Sequence, residues 1–173
     1  IMEAMNAECC QNFAGPKHTL VDFHRMMTRL VEMEDSQYSY RNVLAAYTSG
    51  GILAGICVAY DGGKLHQLRR RFYEAALEAF GIDYTGMTDE TEDGEFYIDS
   101  LAVSSNFRGK GIASQLLQAT IERGAELGIP TVGLLVDKGN PKAEALYQRL
   151  GFVYVNDSTW GGHPMRHLQY KHD

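Results

Sequence analysis

Cysteine is scarce in this sequence. Cys9, Cys10 and Cys57 are the three present, a poor basis for a disulfide framework, and no CxxC or Cys/His spacing points to zinc or any other metal. Long apolar runs are missing too: none approaches the roughly 18 residues that cross a bilayer. Basic charge is in deficit, with 16 Lys and Arg against 22 Asp and Glu and a net charge of −6. A general affinity for nucleic acid needs a basic surface and is therefore not expected. These shortages leave a reducing cytoplasm as the expected location, with no membrane and no nucleic acid as partner. A cationic partner suits the charge.

What is present is ordinary for a globular protein: 45% hydrophobic and 22% charged residues over 173 positions, enough for one domain, expected over 1–173, with a real core. Ile1, Met2, Met5, Cys9 and Phe13 follow helical spacing, so the sequence is expected to open inside a helix that stops before Gly15-Pro16. A second helix is predicted from about His18 to Glu34. The runs Asn42–Thr48 and Ile52–Tyr60, joined by Ser49-Gly50-Gly51, predict a hairpin. Lys64–Phe80 predicts a helix stopped by Gly81, with Arg69-Arg70-Arg71 expected on a solvated face. An acidic loop, Thr85–Gly94, leads into a strand over Glu95–Val103. The charges Asp89, Glu90, Glu92, Asp93 and Glu95 are expected in solvent, where they draw in a cation at most.

The second half is more regular. A glycine-bearing turn, Ser104–Gly111, precedes a helix over Ile112–Leu127 that Gly128 and Pro130 end. Thr131–Val136 has the β-branched, apolar character of a buried strand. Asn140-Pro141 starts a helix and Gly151 stops it. Phe152–Asn156 and Met165–Lys171 are the last predicted strands, linked across Asp157–Pro164. The order of elements makes a mixed α/β domain.

Arg108-Gly109-Lys110-Gly111-Ile112-Ala113, between a strand and a helix, has the physical character of a phosphate cradle. The first helical turn leaves N–H groups unpartnered and its dipole favours negative charge. Glycines let the backbone approach a pyrophosphate where a Cβ would intrude. The nucleotide P-loop spacing is absent, and Ser114 holds the place of the third glycine in the dinucleotide fingerprint. Downstream, Ala143, Leu146, Tyr147 and Leu150 share one stripe, so Tyr147 faces inward. Asn140 has the residue type of an N-cap.

Together these segments, from about Glu95 to Phe152, resemble the GNAT superfamily of acetyltransferases. The acyl-CoA signature Arg/Gln-x-x-Gly-x-Gly/Ala is matched by Arg108, Gly111 and Ala113. Ile98–Val103 is similar to the family's fourth strand, and Asn140–Tyr147 followed by Gly151-Phe152 to its second cofactor motif. The resemblance implies a twisted mixed sheet whose central parallel strands splay apart, flanked by helices. It implies acetyl-CoA as cosubstrate without a metal: Leu101, Ala102 and Val103 pairing with the pantetheine arm, Arg108, Gly109, Lys110, Gly111, Ile112, Ala113 and Ser114 holding the pyrophosphate, Asn140 and Ala143 beside the arm, and Tyr147 near the sulfur. The family's first strand is missing from the sequence as given. A helix and an acidic loop lie where the third and fourth strands often meet in a tight turn.

The implied reaction is direct attack by an amine on the thioester. An alkylammonium must first lose a proton, so a carboxylate, or water ordered by one, is useful. Asp99 is the first choice for this base and Glu95, on the same strand face, the reserve. Tyr147 is the candidate acid toward the thiolate. His163 and His167 are expected to be structural or exposed. The acceptor, a small-molecule or peptide amine, is not readable from the sequence. Homodimerisation is a family habit that no residue pattern marks. A non-catalytic acyl-CoA sensor is the competing expectation, and a nucleotide-binding module a more distant one.

Overall fold

The computed structural model describes residues 1–172. In chain order its elements are α1 (Met2–Met5), α2 (Ala7–Ala14), α3 (Leu20–Glu32), β1 (Val43–Tyr47), β2 (Leu53–Asp61), α4 (Leu65–Phe80), β3 (Glu95–Val103), α5 (Ile112–Glu126), β4 (Thr131–Asp137), α6 (Pro141–Arg149), β5 (Val153–Trp160) and β6 (His163–Lys171). The strands form one mixed sheet in the order β1-β2-β3-β4-β6-β5.

The parallel neighbours β3 and β4 are joined by α5, the crossover that a parallel pair requires. Their pairing covers Glu95–Ile98 against Thr131–Leu134 and ends there. Past that point β3 stays with β2 as far as Val103 opposite Gly55, while β4 stays with β6 as far as Asp137 opposite Met165. Each strand keeps its outer partner and loses its inner one. The sheet therefore opens into a V, the splay expected above. At the apex the β2–β3 register slips: Val58 faces Ser100 and Ala59 faces Ile98, so Asp99 is the extra residue of a bulge.

Strand alternation sends Cys57, Phe96, Ile98, Val132, Leu134 and Leu168 to one side of the sheet, where Leu116, Leu117 and Ile121 of α5 join them in one core. A second core belongs to the helices: Phe13, Phe23, Met26 and Leu30 pack with Phe72 and Ala76 of α4. Tyr60, Leu65 and Tyr97 form a smaller cluster of their own.

Four expectations need correction. Glu90 and Glu95 of the acidic run are not in solvent: they are 8% and 1% exposed, held by buried partners. The opening helix is broken at Asn6, which adopts φ +66° and caps α2 by accepting the Cys9 N–H; asparagine tolerates this conformation better than most residues. The segment 157–164 is not a loop. Gly161 and Gly162 have φ +57° and +81°, as a two-residue hairpin turn demands, and the strands run right up to them. Arg69 is not solvated: it is 1% exposed and pairs with Glu90 and Asp89. Its neighbours Arg70 and Arg71 do stay at the surface, on Glu74 and Asp35.

Candidate active site

The arm of the V that follows β3 ends at the start of α5. Gly109 and Gly111 have φ +73° and +78°, the left-handed region that glycine enters without penalty. A Cβ at either position would meet nothing within 4 Å, so conformation and open approach, not packing, call for glycine there. No side chain caps α5, and the first amide engaged with the helix start is Gln115, bonded to the Gly111 carbonyl. The amides of Ile112, Ala113 and Ser114 are left for a ligand or water. Arg108 Nε donates to the Val103 carbonyl at 3.0 Å, tying this loop to the end of β3. Lys110 Nζ stands 5.4 Å from the centre of the Phe107 ring.

Across the V, α6 begins at Asn140, whose Oδ1 accepts the Ala143 N–H at 3.1 Å. That cap occupies the carbonyl of the amide and leaves its NH₂ free to donate. Tyr147 is half-buried, edge-on to Phe152 with ring centres 6.0 Å apart, and packs against the core that holds Cys57 and Ile98. Burial pushes its phenol up to about 12. At neutral pH the hydroxyl keeps its proton and is available as a donor.

At the apex lies a cavity of about 120 Å³, lined by Asp99 and Ser100 of the bulge, Leu135 of β4, Glu90, Tyr38 and Trp160, among others. The Asp99 carboxylate accepts from Ser100 Oγ at 2.8 Å, Tyr60 Oη at 3.1 Å and Gln37 Nε2 at 3.2 Å. Burial raises its pKa above the ordinary aspartate value, against the pull of these three donors and of Arg69. Asp99 is half-buried and lines the cavity.

Glu90 is 8% exposed and is gripped by Arg69 Nη2. Its Oε1 lies 3.4 Å from the same Tyr60 hydroxyl that binds Asp99. Burial first, and the charge of Asp99 second, push its pKa up to about 7, opposed by Arg69, Trp160 and Tyr60. Glu95 sits elsewhere. Fully enclosed, it accepts from Thr91 Oγ1 and Gln169 Nε2 at 2.7 Å each and lies 2.7 Å from His167 Nε2. It braces β3 against β6 across Gly133, where a Cβ would collide with its carboxylate. Of the two carboxylates predicted on β3, Asp99 lines the cavity and Glu95 does not. His167 is part of that brace, and His163 is an exposed neighbour of Asp137.

Glu90, Tyr60, Gln37 and Trp160 were not singled out by the sequence pattern. One signal was available for Arg69: Leu65, Arg69, Phe72 and Ala76 follow the helical i, i+4, i+7, i+11 spacing, which places an arginine on the inward stripe. A larger apolar groove of about 850 Å³ runs beside β1, β2 and α3. It holds neither carboxylate of the apex.

Comparison with known proteins settles the class. Residues 21–152 match the acetyltransferase (GNAT) family. The chain belongs to that family. A crystal structure of an acetyltransferase superposes on this GNAT chain with a TM-score of 0.76, at 27% identity over 96% of each chain. A probable spermine N(1)-acetyltransferase of Bacillus subtilis subsp. natto is 27% identical over 94 residues, 53% of this chain and 62% of that protein. A Bacillus subtilis acetyltransferase crystallised in complex with CoA has a TM-score of 0.50, at 20% identity over 75% of each chain. The GNAT chain spans only 24%, 40% and 62% of the lengths of three curated relatives it matches.

Proposed function

We propose that the protein moves the acetyl group of acetyl-CoA to a primary amine by direct attack on the thioester. The observation that carries this reading is the V between β3 and β4, with an uncapped helix start along one arm and a carboxylate-lined cavity at its apex. The residues fit the cosubstrate: the glycines leave the space around residues 109–111 open, and the strand edge Leu101–Val103 has no β4 partner to displace. Coenzyme A is also what the Bacillus subtilis neighbour binds.

When bound, acetyl-CoA supplies an activated acyl group and a thiol leaving group. The chain's own residues do the rest. Residues 108–114 hold the pyrophosphate through backbone amides and the flanking Arg108 and Lys110. Leu101, Ala102 and Val103 pair with the pantetheine arm, and the free NH₂ of Asn140, beside Ala143, donates to it. Backbone N–H from the bulged stretch of β3 stabilises the developing oxyanion. Asp99 holds the acceptor's ammonium in line with the carbonyl, which removes the entropic cost of encounter. Once the ammonium has given up one proton, the amine's lone pair forms the new C–N bond as the C–S electron pair leaves with sulfur; Tyr147 donates the proton that sulfur takes up, and the second proton that nitrogen sheds on becoming an amide restores the phenol. The relative named a probable spermine N(1)-acetyltransferase fits an amine acceptor.

The test is a thermal shift with CoA followed by thiol detection across n-butylamine, spermidine and a lysine peptide. The reading expects a higher Tm with CoA and amine-dependent thiol release. Stabilisation by CoA with no thiol released by any amine would make the protein a CoA-binding sensor instead.

A further inference from the structure

The loop between α4 and β3 brings a second carboxylate to the apex, and the transferase reading above does not use it. We propose that Glu90 is the general base of the reaction, taking the proton from the acceptor's ammonium while Asp99 grips that ammonium. The inference rests on the transferase reading and goes beyond it by assigning the proton's destination.

Several observations carry it. Glu90 and Asp99 line the same 120 Å³ cavity, and both approach the Tyr60 hydroxyl, at 3.4 and 3.1 Å. A hydroxyl has one proton to give. If Tyr60 donates to Asp99, its contact with Glu90 is satisfied when Glu90 itself carries a proton and donates back. The two carboxylates are also supported differently. Asp99 accepts from Ser100, Tyr60 and Gln37, which favours its charged form. Glu90 depends on Arg69, itself 1% exposed and shared with Asp89, Tyr73 and the Thr88 carbonyl. The other groups facing Glu90 are neutral: Tyr60 from β2, Tyr97 from β3, Tyr38, and the Trp160 indole from β5. A further buried acceptor waits nearby, because Gln37, whose amide NH₂ binds Asp99, has no partner for its Oε1 among the described residues. An alkylammonium brings three donors to this cluster. In the step proposed, one N–H bond breaks, its electron pair stays on nitrogen as the nucleophilic lone pair, and Glu90 gains the O–H. Pushed up to about 7, its carboxyl has the affinity for protons that suits a base working near neutrality. The titration belongs to the Glu90–Asp99 pair as a whole.

The experiment compares kcat/KM for n-butylamine, an ammonium at neutral pH, with that for 2,2,2-trifluoroethylamine, which is already largely neutral there. Both are measured at saturating acetyl-CoA in the parent and in Glu90→Gln, from about pH 5.5 to about 9.5. The parent's n-butylamine rate is expected to rise through about pH 7 and then level off. Glu90→Gln is expected to lose about 100-fold with n-butylamine but less than about fivefold with the fluorinated amine, with the acetyl-CoA KM within about twofold. Equal losses with both amines, or a parent-like n-butylamine plateau in Glu90→Gln, would overturn the assignment. Should the variant fail to fold, the parent decides alone: a plateau above about pH 8 supports an enzymic base, and a steady climb to about pH 9.5 refutes one. A parent that turns over neither of these amines, nor spermidine or the lysine peptide, sinks the transferase reading itself, and this inference with it.

Discussion

The two sides of the V are built from different materials. The side proposed for the cofactor is mostly backbone: positive-φ glycines, an uncapped helix start and a strand edge that has lost its neighbour. The side proposed for the acceptor is mostly side chains, with Gln37, Tyr60, Glu90, Asp99 and Trp160 delivered by separate stretches of chain. Backbone recognition depends on local conformation and so tolerates little variation in a short segment. Side-chain recognition depends on contacts across the chain, which leaves it free to change with the acceptor. One fold can thus keep a fixed donor and take a new nucleophile.

Substitutions on the two sides should separate binding from turnover. The largest effect is expected from Asp99→Asn, a loss of about 10³-fold in kcat/KM for n-butylamine while CoA still raises the Tm as in the parent. Gly111→Val should do the reverse. A β-branched residue is strained at φ +78°, and calorimetric titration should show CoA bound about tenfold or more weakly. Tyr147→Phe is smaller: kcat falls about tenfold with little change in acetyl-CoA KM, because a thiol of pKa about 8.5 leaves with modest help. Equal turnover in Tyr147→Phe and parent would remove the phenol from the mechanism. Gly133→Ala tests the brace. Its Cβ collides with the Glu95 carboxylate, and the stability lost should be about 1–3 kcal/mol, read as a lower Tm.

A comparable effect on stability is expected from pH. The fold holds the Glu90 proton up to about 7, whereas an unfolded glutamate releases it near about 4.3. The corresponding stability is fully present below the unfolded value and lost as pH rises through the folded one. The Tm should therefore drift down by about 5–10 °C between about pH 5 and about pH 7.5, and Glu90→Gln should flatten that drift.

Much of the candidate cofactor side was legible as structure, because its determinants are local. Arg108–Ala113 between a strand and a helix, and Asn140-Pro141 before an inward Tyr147, declare themselves within a few residues of sequence. The splay itself followed from the family resemblance, since no residue in β3 or β4 announces where pairing stops. The acceptor side was half legible. Asp99 was placed by its strand, yet its partners Gln37 and Tyr60 lie 62 and 39 residues away. Glu90 was hidden among acidic neighbours that do face solvent, such as Glu92 and Asp93. Only the inward position of Arg69 sets it apart, and that pairing crosses 21 residues. Gly161-Gly162 has the residue type of a hairpin turn, but reading 157–164 as a link passed over it, and with it the extension of β5 that brings Trp160 to the cavity.

Titration with CoA, followed by Tm in the parent and in Gly111→Val, tests the central assignment most directly. At about 100 times the dissociation constant, ligand binding contributes about 2.7 kcal/mol, which raises the Tm of a chain this size by about 5–10 °C. That rise is expected in the parent, and it should shrink or vanish in the variant at the same CoA concentration. A parent whose Tm does not move with CoA, or a Gly111→Val protein stabilised as fully as the parent, would contradict binding at the start of α5.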